Sequence, residues 1–309
     1  MKIIAYRGYS GKYPENTLLA FQKAMEAGSD GIQLDVHFTR DRKLVVIHDE
    51  SVSRTLEGVG FVRHHTLQEL QNYDIKGLKV GESQKLITLE DYFLWKKDLS
   101  FPTLIQLKND RFFYPGMEEE VVSLVEKYEE EDQVILLTSR LDSLMILHDR
   151  FPKMQRALII HNLDDFKNLD RLFSLELHSV LLPNAQITEK SLELFQFLKA
   201  KIIPYGVDTS QEVHRMKDLG FDIILTSFVE NVREGLGLKI KPFSANQLKK
   251  LELKEETDFH LPNTPITLPK KTRFLADGLL GILLSMAISV GISSLLGTLV
   301  MNLFAQFLK

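Results

Sequence analysis

The first 230 residues alternate short apolar runs with segments in which apolar residues recur every three or four positions. The runs have the length and composition of buried strands, and the segments between them have the spacing of helices packed on one side. The predicted strands are residues 2–7, 31–39, 44–48, 103–108, 134–138, 156–160, 179–183, 201–207 and 222–226. The predicted helices are residues 17–27, 89–98, 117–130, 141–150, 163–175, 189–200 and 211–219. This alternation predicts parallel strands covered by helices.

The number of repeats predicts an α/β fold of the (β/α)₈ or TIM barrel type. About eight strand–helix units within about 230 residues match the size of such a barrel. An open doubly wound sheet is the alternative, because a sequence does not show whether the first and last strands pair.

The end of the chain is almost free of charge. No charged residue occurs in residues 278–307, and about 20 consecutive apolar residues suffice to span a bilayer. We therefore predict a transmembrane helix in residues 274–308, with a buried amphipathic helix as the alternative. Cationic residues at 270, 271 and 273 precede it, as at cytoplasmic ends of spans, and the first residues lack the apolar core of a signal peptide. The predicted location is the cell membrane, single-pass, with residues 1–230 facing the cytoplasm.

Charge divides the chain into three predicted segments. Residues 1–230 carry a net charge of −8 and form the barrel, whereas residues 231–273 carry nine Lys and Arg against five Asp and Glu and form a basic linker. The linker either lies on an anionic membrane surface or is a solvated tether. Small residues in the predicted membrane segment, 274–308, would permit a homodimer through the tail. They are also ordinary for a membrane helix, and we favour this second interpretation of them.

Overall composition excludes several classes of protein. The net charge of −4 is against nucleic-acid binding, so no nucleic-acid partner is expected. The chain has no cysteine, which excludes a disulfide scaffold, a Cys-ligated metal and a thiol nucleophile.

Polar residues cluster where the predicted strands end, which is where a parallel barrel carries its functional side chains. The candidate site residues are Tyr6, Arg7, Glu15, Gln33, Asp35, His48, Gln106 and Lys108. Strand alternation places Gln33 and Asp35 on one face of their strand. Two fixed cations, Arg7 and Lys108, together with His48, predict an anionic ligand, most simply a phosphate.

An ordered series of motifs resembles the glycerophosphodiester phosphodiesterases. That family's pattern is His-Arg-Gly, Pro-Glu-Asn-Thr before Ala-Phe, Glu-x-Asp, His-Asp, Arg-Thr and Glu-x-Lys. The counterparts here are Tyr6-Arg7-Gly8, Pro14-Glu15-Asn16-Thr17 with Ala20-Phe21, Gln33-Leu34-Asp35, His48-Asp49, Arg54-Thr55 and Gln106-Leu107-Lys108. The resemblance covers about residues 1–230. It implies a (β/α)₈ barrel with a small insertion after the second strand, at 49–86, and hydrolysis of a glycerophosphodiester to glycerol 3-phosphate and an alcohol.

The resemblance also implies roles for the candidate residues. A divalent cation, Mg²⁺ or Ca²⁺, would be held at the positions of Gln33, Asp35 and Gln106. His48 and the residue at the place of Tyr6 would transfer protons. Substrate binding is assigned to Arg7, Lys108 and Glu15, although Glu15 more simply orders the turn after Pro14.

Three positions depart from the family pattern. Tyr6 stands where the family has His, and Gln33 and Gln106 stand where it has Glu. Each Gln removes one charge from a hard-cation site, and tyrosine has a reference pKa of about 10 against about 6.5 for His. We therefore expect weakened or absent metal binding and impaired hydrolysis.

Two functions stay open from the sequence. The first is a membrane-anchored hydrolase with a remodelled site. The second is an inactive member that binds a glycerophosphodiester or phospholipid headgroup and regulates or scaffolds membrane partners.

Overall fold

The computed structural model describes residues 1–239 apart from 81, 164–174, 176, 178 and 198. The described strands are β1 (Lys2–Tyr6), β2 (Gly31–Phe38), β3 (Leu44–Val46), β4 (Thr103–Leu107), β5 (Val134–Thr138), β6 (Gln155–Ile159), β7 (Ser179–Pro183), β8 (Lys201–Tyr205) and β9 (Ile223–Thr226). The described helices are α1 (Leu18–Glu26), α2 (Leu67–Gln71), α3 (Leu89–Lys96), α4 (Met117–Lys127), α5 (Leu141–Arg150), α6 (Glu189–Phe197), α7 (Ser210–Asp218) and α8 (Val229–Gly235).

The parallel strands close into a ring. In the described residues β1 pairs with both β2 and β9, and the remaining pairs run β2–β4–β5–β6–β7–β8–β9. The pairing of β1 with β2 closes the barrel and excludes the doubly wound alternative. The ninth strand, β3, lies antiparallel to β2 outside the ring. The barrel prediction is therefore confirmed.

Apolar side chains fill the barrel below the strand ends. Ile4, Leu104 and Leu181 belong to one buried cluster within the ring of strands. Because side chains two positions apart share a face, Tyr6 and Gln106 lie one layer above Ile4 and Leu104. The interior is thus a packed core, and the candidate site residues lie above it at the carboxyl ends of the strands.

Several of the helices have a threonine at the N-cap position. Thr17 accepts a hydrogen bond from the backbone N–H of Ala20, and Thr88 and Thr209 form capping boxes with Asp91 and Glu212. Each cap satisfies backbone donors that the first helical turn leaves free.

The predicted insertion is a small folded cap with a core of its own. Val52, Leu56, Val62 and Leu70 pack with Ile47 and other apolar residues beside β3. Within it lies α2, a short helix that the sequence pattern did not predict, and the last helix, α8, was not predicted either.

Several predicted elements are shorter in the structure. β1 ends at Tyr6 because Arg7 has a φ of 57°, and β8 ends at Tyr205, before Gly206 with a φ of 72°. The predicted helix 163–175 lies almost wholly outside the described residues.

Among the residues that the structure describes, no helix combines the length and the apolar character needed to cross a lipid bilayer. The predicted membrane segment, 274–308, and the linker beyond residue 239 lie outside those residues.

Candidate functional site

A sharp turn after β1 begins the site. Arg7 and Gly8 both have left-handed backbone conformations, with φ of 57° and 77°. A Cβ on Gly8 would lie 2.8 Å from the backbone carbon of Ala20, so this position requires glycine. The backbone N–H of Asn16 donates to the carbonyl of Arg7 over 3.0 Å and ties the two ends of the connection together.

The carboxylate of Asp35 is fully buried and surrounded by donors. Its Oδ1 accepts a hydrogen bond from Gln33 Nε2 at 3.0 Å, and its Oδ2 accepts one from Asn16 Nδ2 at 2.9 Å. The guanidinium Nε of Arg7 lies 3.3 Å from Oδ2. Gln33 is oriented by accepting the Arg7 backbone N–H at Oε1, over 3.1 Å. We call Arg7, Asn16 and Gln33 the donor cage of Asp35.

This donor cage compensates the buried charge of Asp35. Burial by itself would raise the pKa of Asp35, but Arg7, His48 and Lys108 together with the Asn16 hydrogen bond hold it below its ordinary value. The carboxylate therefore stays ionised, and its charge is balanced by side chains of the protein.

The residues present do not fit a hard divalent cation well. Of the three predicted ligands only Asp35 is a carboxylate, and both of its oxygens accept hydrogen bonds from amide N–H groups. Gln106 is 1% exposed, and neither its amide oxygen nor its nitrogen has a hydrogen-bond partner among the described residues. Within that part of the chain no group of three or more His, Cys, Asp or Glu lies close enough to hold a metal ion.

A chain of hydrogen bonds and ion pairs holds His48. Its Nδ1 lies 2.7 Å from Asp49 Oδ1, Asp49 Oδ2 accepts from Arg54 Nε at 2.5 Å, and Arg54 NH2 donates to Glu15 Oε1 at 2.7 Å. The Arg54 hydrogen bond, followed by that of His48, lowers the pKa of Asp49. Asp49 is thus an acceptor, and Nδ1 of His48 donates a proton to it.

Lys108 faces Nε2 of His48. Its Nζ is 3.5 Å from His48 Nε2 and 3.9 Å from Asp110 Oδ2, and the side chain is 5% exposed. Arg7, whose Nε contacts Asp35, has its NH1 3.2 Å from Glu15 Oε1. The mouth therefore holds two fixed cations and an imidazole around the compensated carboxylate of Asp35, and Glu15, Asp110 and Asp49 each pair with one of these three groups.

Tyr6 is locked against Arg7. The guanidinium NH2 donates to the Tyr6 hydroxyl at 2.8 Å and its carbon lies 4.6 Å from the centre of the ring. Burial, the largest influence, raises the pKa of Tyr6 despite the neighbouring Arg7. At neutral pH Tyr6 keeps its proton and can donate it in a hydrogen bond, but it does not act as a base.

The structure adds residues that the sequence reasoning missed. Besides Asn16 and Arg54, fully buried His37 lies 3.0 Å, at Nε2, from the backbone carbonyl of His48 and 3.3 Å, at Nδ1, from the Tyr114 hydroxyl. Burial lowers the pKa of His37 to about 4, so it is neutral and donates to that carbonyl. The shared strand face of residues 33, 35 and 37 was the signal that could have drawn attention to it.

All eight predicted site residues lie in this one region. Glu15 contacts both Arg7 and Arg54, which makes it part of the ion-pair network that orders the turn.

Comparison with known proteins gives the same relationship as the motifs. The sequence model described as the glycerophosphoryl diester phosphodiesterase family matches residues 7–231. A glycerophosphodiester phosphodiesterase of Caldanaerobacter subterraneus subsp. tengcongensis is 34% identical over 242 residues, covering 75% of this chain and 98% of that relative. Another, from Bacillus altitudinis, is 34% identical over 234 residues, covering 74% of this chain and 94% of that relative.

Solved structures share the fold. A glycerophosphodiester phosphodiesterase from Agrobacterium tumefaciens superposes with a TM-score of 0.65 at 23% identity, over 76% of this chain and 99% of that one. A phosphodiesterase of Oleispira antarctica, solved in complex with the product sn-glycerol-3-phosphate, has a TM-score of 0.68 at 20% identity, over 77% of this chain and 97% of that one. The resemblance drawn from the motifs is confirmed, and the chain belongs to the glycerophosphoryl diester phosphodiesterase family.

Proposed function

We propose that the barrel binds glycerophosphodiesters through their phosphate group and that its metal-dependent hydrolysis is impaired. The observation that carries this proposal is the donor cage, in which Arg7, Asn16 and Gln33 surround the carboxylate of Asp35. The substrate class comes from the relatives, which are named glycerophosphodiester phosphodiesterases.

Phosphate binding follows from the charges at the mouth. Lys108 and Arg7 are fixed cations; Lys108 has Asp110 at 3.9 Å, and Arg7 is paired with Glu15 as well as with the compensated Asp35. A phosphate oxygen beside Lys108 would accept a hydrogen bond from its ammonium. The guanidinium of Arg7, whose nitrogens contact Asp35, Glu15 and Tyr6, would add electrostatic attraction for the phosphate.

Impaired hydrolysis follows from two losses. Family members generally depend on a divalent metal, and here the ligand set contains one carboxylate and two amides, a poor match for Mg²⁺ or Ca²⁺. Tyr6 keeps its proton at neutral pH, and losing one positioned proton-transfer group costs about 10²–10⁴ in rate.

Hydrolysis by a remodelled site is the second candidate. Its support is the His48–Asp49 pair, whose 2.7 Å contact orients the imidazole as a proton-transfer group.

The proposal includes an anchor in the membrane. The apolar segment 274–308 would hold the barrel at the cytoplasmic face of the cell membrane, close to phospholipid headgroups, with a homodimer or another membrane partner engaging the same segment. Fractionation of cells expressing the full chain or a chain lacking 274–308 tests this, since the deletion should move the protein out of the membrane fraction. Equal recovery of both in that fraction would contradict it.

The decisive experiment measures binding and turnover on the full-length protein. Glycerol 3-phosphate release from a panel of glycerophosphodiesters is followed with Mg²⁺, with Ca²⁺ and with EDTA, beside the triple variant Tyr6→His, Gln33→Glu, Gln106→Glu. Calorimetry measures glycerol 3-phosphate binding, with Arg7→Ala as control.

We expect binding that Arg7→Ala abolishes and that EDTA leaves unchanged, together with turnover that appears only in the triple variant. Metal-stimulated turnover by the native chain would contradict impaired hydrolysis. Absence of binding in native chain and Arg7→Ala alike would contradict the proposed function altogether.

A further inference from the structure

His161 lies at the mouth of the barrel but belongs to none of the predicted motifs. It follows β6, and β6 is the strand diametrically opposite β1 in the closed ring. Its position beyond a strand end is the place where parallel barrels carry functional groups. Its side chain is partly exposed, and it is a second imidazole at the mouth besides His48.

Aromatic rings connect His161 to the candidate site. The ring of Tyr205 packs edge-on against His161, with centroids 6.4 Å apart, and stacks on Tyr6 with centroids 6.0 Å apart at 18°. Tyr6 in turn holds the guanidinium of Arg7. A wall formed by Tyr6, Tyr205 and His161, here called the aromatic wall, therefore runs from Arg7 to the far side of the mouth.

Hydrogen bonds orient the imidazole within the aromatic wall. His161 Nδ1 lies 3.2 Å from the Tyr205 hydroxyl, and that hydroxyl donates to the backbone carbonyl of Ile160 over 3.4 Å. We assign the Tyr205 proton to the Ile160 carbonyl, so that the hydroxyl oxygen accepts the ring proton carried by Nδ1 of His161. Nε2 is then an acceptor, and it has no hydrogen-bond partner among the described residues.

The charges around His161 are those of the candidate phosphate site. Burial lowers the pKa of His161. The charges of Lys108, His48 and Arg7 lower it further, and the charge of Asp110 opposes them. His161, Lys108 and Arg7 each follow the carboxyl end of a barrel strand, and the lowered pKa leaves His161 neutral at pH 7. A neutral acceptor beside two cations is unsuited to a phosphate oxygen, which also accepts, and suited to a hydroxyl group, which donates.

Resting on the proposed function, we propose that His161 is a specificity-determining residue whose Nε2 accepts a hydrogen bond from a glycerol hydroxyl of a ligand whose phosphate binds Arg7 and Lys108. The apolar faces of Tyr6 and Tyr205 lie between these two points and would pack against the glycerol carbons. His161 thus separates ligands that carry a hydroxyl-bearing group from inorganic phosphate.

The test uses two probes and two substitutions of the same residue. In calorimetry on the full-length protein, glycerol 3-phosphate reports on phosphate and hydroxyl contacts together, and inorganic phosphate reports on the phosphate contact alone. His161→Asn keeps a donor at the place of Nδ1 and removes the acceptor at Nε2. His161→Gln keeps an acceptor near Nε2. His148→Asn is the matched control, since His148 pairs with Asp149 on α5.

We expect His161→Asn to weaken glycerol 3-phosphate binding about threefold to tenfold, the range for one neutral hydrogen bond. Inorganic phosphate binding should stay within about twofold, and His161→Gln and His148→Asn should bind both probes like the native protein. Tyr205→Phe, which removes the partner of Nδ1, should repeat the His161→Asn pattern in a weaker form and serves if His161→Asn does not fold.

Three results separate the two levels of the proposal. Unchanged glycerol 3-phosphate binding in both His161→Asn and Tyr205→Phe overturns this inference and leaves the proposed function intact. Equal weakening of both probes also overturns it, since His161 would then act on the phosphate. A native protein that binds neither probe, or binds both as well with Arg7→Ala, overturns the proposed function together with this inference.

Discussion

Replacing Gln33 by Glu tests the donor cage of Asp35 most directly. The amide Nε2 of Gln33 donates to Asp35 Oδ1 over 3.0 Å, and both side chains are fully buried. Gln33→Glu keeps the shape of the side chain but replaces a donor by a second carboxylate. Two buried carboxylates would then face each other at hydrogen-bond distance.

The structure sets the size of the effect. Two unit charges about 3 Å apart repel by about 5 kcal/mol at an effective dielectric constant of about 20. Protonation of the introduced carboxyl group limits this penalty, because holding a group of reference pKa about 4.3 protonated at pH 7 costs about 4 kcal/mol. We therefore expect Gln33→Glu to lose about 4 kcal/mol of unfolding free energy at pH 7, a fall in Tm of about 8–16 °C.

Thermal and urea unfolding of the full-length protein in EDTA measure this loss. The matched control is Gln22→Glu, because Gln22 also donates to a carboxylate, Glu26 at 2.9 Å, but on the half-exposed surface of α1. Its cost should stay below about 1 kcal/mol. The loss of unfolding free energy caused by Gln33→Glu should shrink towards about pH 4.5. The introduced carboxyl group has a raised pKa in the folded protein and binds a proton there at pH 7, and this costs nothing once the same group in the unfolded chain is protonated as well.

Divalent cations provide the second half of the assay. In the double variant Gln33→Glu, Gln106→Glu, three carboxylates would face the mouth, so Ca²⁺ or Mg²⁺ should restore much of the lost Tm and leave the native protein unchanged. The reasoning would be refuted if the Gln33→Glu variant melted within about 2 °C of the native protein. Such a difference in Tm corresponds to a loss of about 0.5 kcal/mol of unfolding free energy. Equal stabilisation of native and double variant by the cation would refute the reasoning too.

Two further predictions concern buried groups near the barrel. Lys96 is fully buried and paired with Glu130, whose side chain is 11% exposed. Removing either partner, by Glu130→Gln or by Lys96→Met, should cost about 3–5 kcal/mol in urea unfolding, because the other charge stays buried without its partner. The double variant should cost clearly less than the sum of the two, and additive losses would contradict a buried ion pair. The second prediction concerns His37, whose pKa is about 4 in the folded protein and about 6.5 in the unfolded chain. The unfolding free energy that depends on neutral His37 is therefore fully present above pH 6.5, and about 3 kcal/mol of it is lost as the pH falls to 4. Urea titrations between pH 4 and pH 8 should show that this acid-dependent loss largely disappears in His37→Gln, and an unchanged pH profile would count against it.

Local patterns in the sequence determined the repeating units of this protein. Strand and helix periodicity depend on neighbouring residues, so most strands were predicted within one or two residues of their observed bounds. The polar residues at the strand ends were visible for the same reason, and their motifs indicated the family. The predicted and observed ends of a strand differ where a residue adopts a left-handed backbone conformation, as at Arg7. The sequence rarely indicates this conformation for a residue other than glycine.

Long-range pairing was decided by the tertiary structure. The sheet closes because β1 pairs with both β2 and β9. Almost the whole barrel lies between β2 and β9 in the sequence. Arg54 meets Glu15 across 39 positions and His161 meets Tyr205 across 44. No local pattern encodes such contacts, because they depend on how the folded elements pack.

The charge state of the candidate site was decided in the same way. The sequence determined which groups are present, namely one carboxylate with two glutamines and two fixed cations. Only the folded chain brings Asn16, Gln33 and Arg7 around Asp35, and that geometry balances its charge within the protein. Electrostatic energies depend on distance and burial, and both are properties of the tertiary structure.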